Sequence, residues 1–240
     1  MNKSNLRLFN RSVRKIKNIL NPVIDISDEY TSLLCGINAG WLERGNLYSL
    51  NYAIEHLPSG SPIIEIGSFC GLSTNLIGYY KEKHGVTNKL INCDKWEWNN
   101  SGPMGNSRIS IADYLIYAQN TYMGNVQTFS GNDLPHTIKE FSDDFFRMWR
   151  AGEEVEDIFG RKTKLGGPIS FAFVDGNHEY EFAKNDFLHT DEFLESGGFL
   201  LFDDSADGTE WEVSRVRDEV IATKRYEIII KNPNYLFRKH

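Results

Sequence analysis

The sequence predicts a doubly wound α/β fold: a mostly parallel, Rossmann-like seven-stranded sheet that ends in an antiparallel C-terminal hairpin. Three observations carry this. Short apolar runs ending in Gly or Asp alternate with segments of helical period along most of the chain. The first of these runs opens through a glycine turn into a helix. At the end of the chain, residues 226–231 and 235–239 flank Asn232-Pro233-Asn234, the pattern of a hairpin.

The elements follow in order. Leu6, Phe9, Val13, Ile16 and Leu20 recur every three or four positions, so residues 4–20 predict a short amphipathic helix. Its basic face suits a membrane surface or an anionic partner, and equally a solvated helix docked on the body. Residues 45–57 predict a helix stopped by Pro58-Ser59-Gly60, and Pro62-Ile-Ile-Glu-Ile-Gly67 a buried parallel strand. Residues 72–84 predict a helix and 89–94 a second strand. A helix is expected over 108–122, a third strand over 126–130 and a helix over 134–150. The fourth strand is placed at 169–175, with a helix at about 179–195, a fifth strand at 198–203 and a helix over 210–224. Residues 96–107 and 151–167 fit no element and read as long loops, of the kind that form lids or substrate walls.

Composition narrows the function. The chain has 240 residues, 40 % hydrophobic and 25 % charged, an ordinary globular composition that excludes a collagen, a coiled coil or a disordered chain. Six of the 26 basic residues and none of the 33 acids fall in the first 17, so the formal net charge of −7 joins a basic arm to an acidic body. An acidic body argues against a general nucleic-acid binder. No apolar run reaches the roughly 18–20 residues of a membrane span, and no apolar h-region follows the basic start. Cys35, Cys70 and Cys93 are widely spaced without a CxxC, as expected of reduced thiols in a cytoplasmic protein.

Three constellations carry chemistry. Glu65-Ile-Gly67-Ser-Phe-Cys-Gly71-Leu-Ser73-Thr74 is a strand, a glycine turn and a helix start, where a ligand meets free N–H groups. Its G-x-x-x-G spacing is neither the dinucleotide fingerprint nor a P-loop, and nothing basic stands ready for a pyrophosphate. A carboxylate ligand suits it better, and a tight turn with no ligand is the plain alternative. Asp94 ends the second strand, where an acid suits the two hydroxyls of a ribose. The third is Asp175-Gly-Asn-His178-Glu-Tyr180 with Asp203-Asp204 downstream. If their strands are neighbours, three carboxylates converge at the sheet edge and call for a hard divalent cation such as Mg²⁺. The plain alternative is that Asp203 or Asp204 caps a turn. His178 stands beside Asp175 as a general base, a substrate contact or a helix cap.

Together these residues, with Gly197-Gly198 before the Asp203-Asp204 pair, resemble the class I S-adenosylmethionine-dependent methyltransferases. More narrowly, they resemble the metal-dependent macrocin O-methyltransferase-like group. The resemblance runs from about residue 45 to the end, which divides the chain into a lead-in over 1–44 and a methyltransferase domain over 45–240. It implies that Glu65, Gly67, Ser68, Phe69, Gly71, Ser73 and Thr74 wrap the methionine half of S-adenosylmethionine, that Asp94 holds the ribose, and that Ser130, Gly131 and Asn132, after strand three, lie along the adenine. It implies Asp175, Asp203 and Asp204 as magnesium ligands and a hydroxyl acceptor, a sugar or similar polyhydroxylated small molecule. It also gives a reason to expect a homo-oligomer. Some members carry an acid as base two residues after the first metal aspartate; here that position is Asn177, and His178 is the nearest substitute. The aromatic residues Trp96, Trp98, Tyr114, Tyr117 and Tyr122 are candidates for stacking on an acceptor or packing a dimer. A cephalosporin hydroxylase-like protein with a similar acidic site, and a non-catalytic binding protein, are the alternative readings.

Overall fold

The computed structural model describes residues 23–98 and 100–240. The basic segment over 4–20 lies outside the described residues. Helix α1 (Glu29–Ile37) starts at a capping box in which Asp28 accepts the Thr31 N–H at 2.8 Å and Thr31 Oγ1 accepts the Asp28 N–H at 2.8 Å. There follow α2 (Asn46–Glu55), β1 (Ile63–Ile66), α3 (Leu72–His84), β2 (Leu90–Cys93), α4 (Ile111–Phe129), β3 (His136–Ile138), α5 (Ser142–Ala151) and a small hairpin of β4 (Glu154–Glu156) and β5 (Lys162–Lys164). Then come β6 (Ile169–Val174), α6 (Tyr180–Phe193), β7 (Leu194–Phe202), α7 (Val213–Ala222), β8 (Tyr226–Lys231) and β9 (Tyr235–Lys239).

Seven strands form one sheet in the order β3-β2-β1-β6-β7-β9-β8. All neighbours are parallel except β7–β9 and β8–β9. The chain works outward from β1 to β3 and then returns to β6 on the other side of β1. That reversal opens a crevice at the carboxyl ends of β1 and β6. Side-chain alternation feeds two cores. Ile64, Ile66, Val174 and Phe202 pack with Phe146, Trp149, Phe187 and Val216 of α5–α7. Ile63, Phe171, Phe173 and Leu201 pack with Leu34, Leu50 and Leu76 of α1–α3. Each such large side chain contributes about 1.5–3 kcal/mol on burial. Leu34, within the expected lead-in, is fully buried in the second core.

Two expectations fail in the middle of the chain. Residues 126–130 are no strand: α4 runs on to Phe129, because Ile111, Leu115, Ala118, Tyr122 and Val126 keep one face buried at spacings of three and four. The third strand is instead His136–Ile138, inside the expected helix over 134–150, whose helical part begins only at Ser142. Three residues beside Pro135 are too few to show a period of two. The expected loop over 151–167 holds the β4–β5 hairpin. Asp157 organises its turn, Oδ1 accepting the N–H groups of Phe159 and Arg161 at 2.9 Å each. Residues 96–98 and 100–107 remain irregular, tied by a bridge between Pro103 and Ser110.

Candidate active site

Backbone hydrogen bonds continue the sheet one residue beyond the strands. Gly67 N–H donates to Cys93 O at 2.9 Å, Asp175 N–H to Ile66 O at 2.8 Å and Asp203 N–H to Val174 O at 3.0 Å. Gly67, Asp94, Asp175 and Asp203 therefore stand at one carboxyl edge. Gly67 has φ +83°, and a Cβ there would lie 2.0 Å from the Asp175 carbonyl oxygen, so only glycine lets the two strand ends approach this closely.

The glycine turn is rich in donors. Asp94 Oδ2 accepts the N–H groups of Ser68 and Phe69 at 2.8 Å each, and Oδ1 accepts the Trp96 N–H at 2.7 Å. Trp96 Nε1 in turn donates to Phe69 O at 2.8 Å. Phe69 and Trp96 both hold positive φ, +44° and +52°, a conformation that is costly for such side chains and is fixed here by those bonds. Burial raises the Asp94 pKa, against the three N–H donors. Glu65 is fully buried. Its Oε2 accepts Ser68 Oγ at 2.9 Å, Asn92 Nδ2 at 2.6 Å and Thr74 Oγ1, while Oε1 has no partner. Burial pushes Glu65 up to about 7, although the hydroxyls of Ser73, Thr74 and Ser68 act against it. At Gly71 helix α3 begins with no side-chain cap, so its first-turn N–H groups are available to an anion. An uncapped helix start beside a lone buried acceptor fits the carboxylate and ammonium of an amino-acid moiety.

The β6–β7 side is acid against acid. Asp175 lies within hydrogen-bonding reach of Asp203; burial first, then the charges of Asp203, Asp204 and Glu65, hold it well above the ordinary carboxylate range. Burial and the Asp204 charge push Asp203 up to about 7. Asp204 has φ +54°, and its Oδ2 lies 3.1 Å from His178 Nδ1. Burial lowers the His178 pKa while the Asp204 charge opposes it. Trp211 packs on the His178 ring at 4.8 Å. Among the described residues no three His, Cys, Asp or Glu side chains form a ready-made metal-ligand cluster. Asp203 Oδ1 is taken up by the amides of Asn46 and Asn234, and Asp175 faces Asp203. The donor set is nevertheless the hard-oxygen kind that suits a divalent cation, since acids and amides, not cations, act most strongly on Asp203.

The sequence-predicted residues divide accordingly. Glu65, Gly67, Ser68, Phe69, Gly71, Ser73, Thr74 and Asp94 gather at the glycine turn, and Asp175, His178, Asp203 and Asp204 beside it. Ser130, Gly131 and Asn132 do not lie after strand three. They follow the end of α4, and the buried Ser130 Oγ donates to Asn75 Oδ1 of α3 at 2.7 Å, in the helix layer. The residues that do follow β3 are Lys139, Glu140 and Phe141. Trp96 and Tyr122 are core residues packed on each other at 5.2 Å, whereas Trp98 and Tyr114 continue a row of rings through Phe69 to the exposed Trp41. Trp41, Trp211 and Asn46 carry no sequence signal, and Asn234 only that of a turn, for the partner of each lies far along the chain. Two surface cavities, of about 520 and 410 Å³, lie elsewhere, beside Trp149 and Phe193 and beside Met148 and Val155.

Comparison with known proteins accords with this geometry. Residues 64–205, more than half of the chain, match the methyltransferase domain family, and the chain belongs to that family. No curated protein matches the sequence. Among solved structures, an O-methyltransferase from Bacillus cereus, in complex with S-adenosylhomocysteine, is 14 % identical, with 97 % of this chain and 98 % of that chain covered and a TM-score of 0.53. CalS11, described as a TDP-rhamnose 3'-O-methyltransferase of calicheamicin biosynthesis, is 14 % identical over 80 % of this chain and 76 % of its own, with a TM-score of 0.53. An rRNA methylase from Streptococcus thermophilus is 15 % identical over 83 % of this chain and 99 % of its own, with a TM-score of 0.51. At these identities the likeness is one of fold, and the same fold serves small-molecule and RNA acceptors.

Proposed function

We propose that this chain is an O-methyltransferase that moves a methyl group from S-adenosylmethionine to a hydroxyl of a sugar or similar polyhydroxylated small molecule, aided by a divalent cation such as Mg²⁺. The observation that carries the reading is the meeting of a donor-rich glycine turn and a crowd of carboxylates at one sheet edge. S-adenosylmethionine supplies an electrophilic methyl on a sulfonium. The α3 N-terminus and Glu65 Oε1 suit its amino-acid end, and beyond its three N–H donors Asp94 keeps one lone pair, on Oδ1, for a ribose hydroxyl. Asp175, Asp203 and Asp204 would hold the cation, whose charge would lower the pKa of an acceptor hydroxyl and fix its direction.

His178 is the proposed base. With Nδ1 turned to Asp204, Nε2 is the nitrogen left to take the hydroxyl proton, and burial favours the neutral ring that can do so. Asn177 does not compete for this role: its Oδ1 accepts the Glu179 N–H at 2.9 Å and shapes the turn. The net charge of −7 supports a small acceptor over RNA. Among the described residues no helix is long and apolar enough to cross a membrane.

The test has two parts. Titration calorimetry is expected to show S-adenosylhomocysteine binding that survives EDTA. Methyl-labelled cofactor incubated with a panel of sugars and polyols is expected to give transfer that EDTA abolishes and Mg²⁺ restores. Absence of nucleoside binding would sink the reading, and label passing to RNA alone would redirect it.

A further inference from the structure

Asp203 is the most enclosed of the three strand-end acids, only 4 % exposed, and its surroundings are built of asparagine. Asn46, the first residue of α2, donates from Nδ2 to Asp203 Oδ1 at 2.7 Å. Asn234, in the turn between β8 and β9, donates from Nδ2 to the same oxygen and to Asn46 Oδ1 at 3.2 Å, and its own Oδ1 accepts the Ala206 N–H at 3.1 Å. Both amides are fully buried. The turn is gripped from outside as well. Asn232 Nδ2 donates to Gly45 O at 3.1 Å and to Ile24 O at 2.7 Å. A Cβ on Gly45 would lie 1.7 Å from Asn232 O, so glycine is what lets α2 begin against the hairpin. Two segments far apart in sequence thus close on one carboxylate oxygen, and a third, at Ile24, braces the turn behind them.

We propose that Asn46 and Asn234 are positioning residues that hold Asp203 ready for the divalent cation. Two amide donors use both lone pairs of Oδ1, stop rotation of the carboxylate and leave Oδ2 as the oxygen without an amide donor. The C-terminal hairpin, otherwise only the edge of the sheet, then becomes part of the site's supporting layer. This inference rests on the proposed cation chemistry. A purely structural role for the two amides makes a different prediction: removing them would loosen the hairpin and leave cation affinity unchanged.

The experiment is a Mn²⁺ titration of the full chain, read from the electron paramagnetic resonance signal of the free ion, with a thermal melt of each variant. Partners behind metal ligands commonly contribute about 10–100-fold to affinity. Asn46→Ala and Asn234→Ala are expected to weaken Mn²⁺ binding by about that factor. Asn88→Ala is the control: its buried amide serves Ser59 O and Ser61 O before β1, and its loss is expected to lower the melting temperature alone. Should Asn234→Ala fail to fold, Asn46→Ala decides, because alanine is well tolerated in a helix. Wild-type affinity, within twofold, in a folded Asn46→Ala or Asn234→Ala overturns the inference. No Mn²⁺ binding by the wild type overturns the cation reading and this inference with it.

Discussion

At the glycine turn every carboxylate has donors. Three backbone N–H groups point at Asp94, and two hydroxyls and an amide at Glu65 Oε2. Across the sheet edge Asp203 has two amide donors and Asp204 faces His178, yet the charges of neighbouring acids act on Asp175 and Asp203, and no Lys or Arg is among the groups that act most strongly on either. In the first region the backbone conformation of Phe69 and Trp96 is held by local bonds, and the groups left over are the Glu65 Oε1 acceptor and the uncapped α3 start. In the second, acid charges bear on one another, which is the setting the proposed cation would relieve. Under the proposed function the first region governs affinity for the cofactor and the second chemistry on the acceptor, so substitutions in the two are expected to fall into different classes.

The largest effect is expected at Asp175. Asp175→Ala is expected to lower single-turnover methyl transfer on the order of 10²–10³-fold, the scale of losing one charge-stabilising group. S-adenosylhomocysteine affinity measured by calorimetry is expected to stay within about threefold, since the loss falls on differential stabilisation. Asp94→Ala should show the opposite pattern: affinity for the cofactor product falls at least about tenfold, and three unpaired N–H groups cost about 1–3 kcal/mol of stability in urea unfolding. If both variants lose cofactor binding equally, the division between the two regions is wrong.

Glu65 sharpens the comparison through pH. Its pKa of about 7 in the fold exceeds the ordinary 4.5, so between those values the folded chain keeps a proton that the unfolded chain releases. Its contribution to stability is therefore greatest at low pH and declines as pH rises from 4.5 to 7. Glu65→Gln, which keeps the shape and removes the titration, is expected to flatten this decline. From pH 5 to 7.5 the wild type should lose about 2–3 kcal/mol relative to the variant, visible as a diverging melting temperature. Smaller again, Trp211→Ala frees the His178 ring and is expected to reduce kcat about five- to tenfold with little change in fold, the order of one modest contact. Smallest of all, Ser130→Ala removes the bond to Asn75 and is expected to cost about 1 kcal/mol, with cofactor affinity unchanged. A marked loss of affinity there would return Ser130 to the adenine site.

The glycine turn was legible in sequence because its parts are contiguous: strand, Gly67, Gly71 and helix follow within ten residues. Helix α3 spans the expected 72–84, and β8 and β9 the expected 226–231 and 235–239. The third strand was not legible. A three-residue strand has too little pattern, and the end of α4, with Val126 and Thr128, imitates one, so Ser130, Gly131 and Asn132 precede the third strand instead of following it.

The sequence by itself determined the alternation of elements, the turn that opens α3 and the acids that end β2, β6 and β7, because local periodicity and strand-end position are properties of neighbouring residues. Only the tertiary structure decided which of those acids meet donors and which meet one another. It placed Asn46 and Asn234 on Asp203, Trp211 on His178 and Trp96 in the core. Such pairings depend on strand order and packing across long stretches of chain, and a carboxylate's behaviour depends on what surrounds it in space.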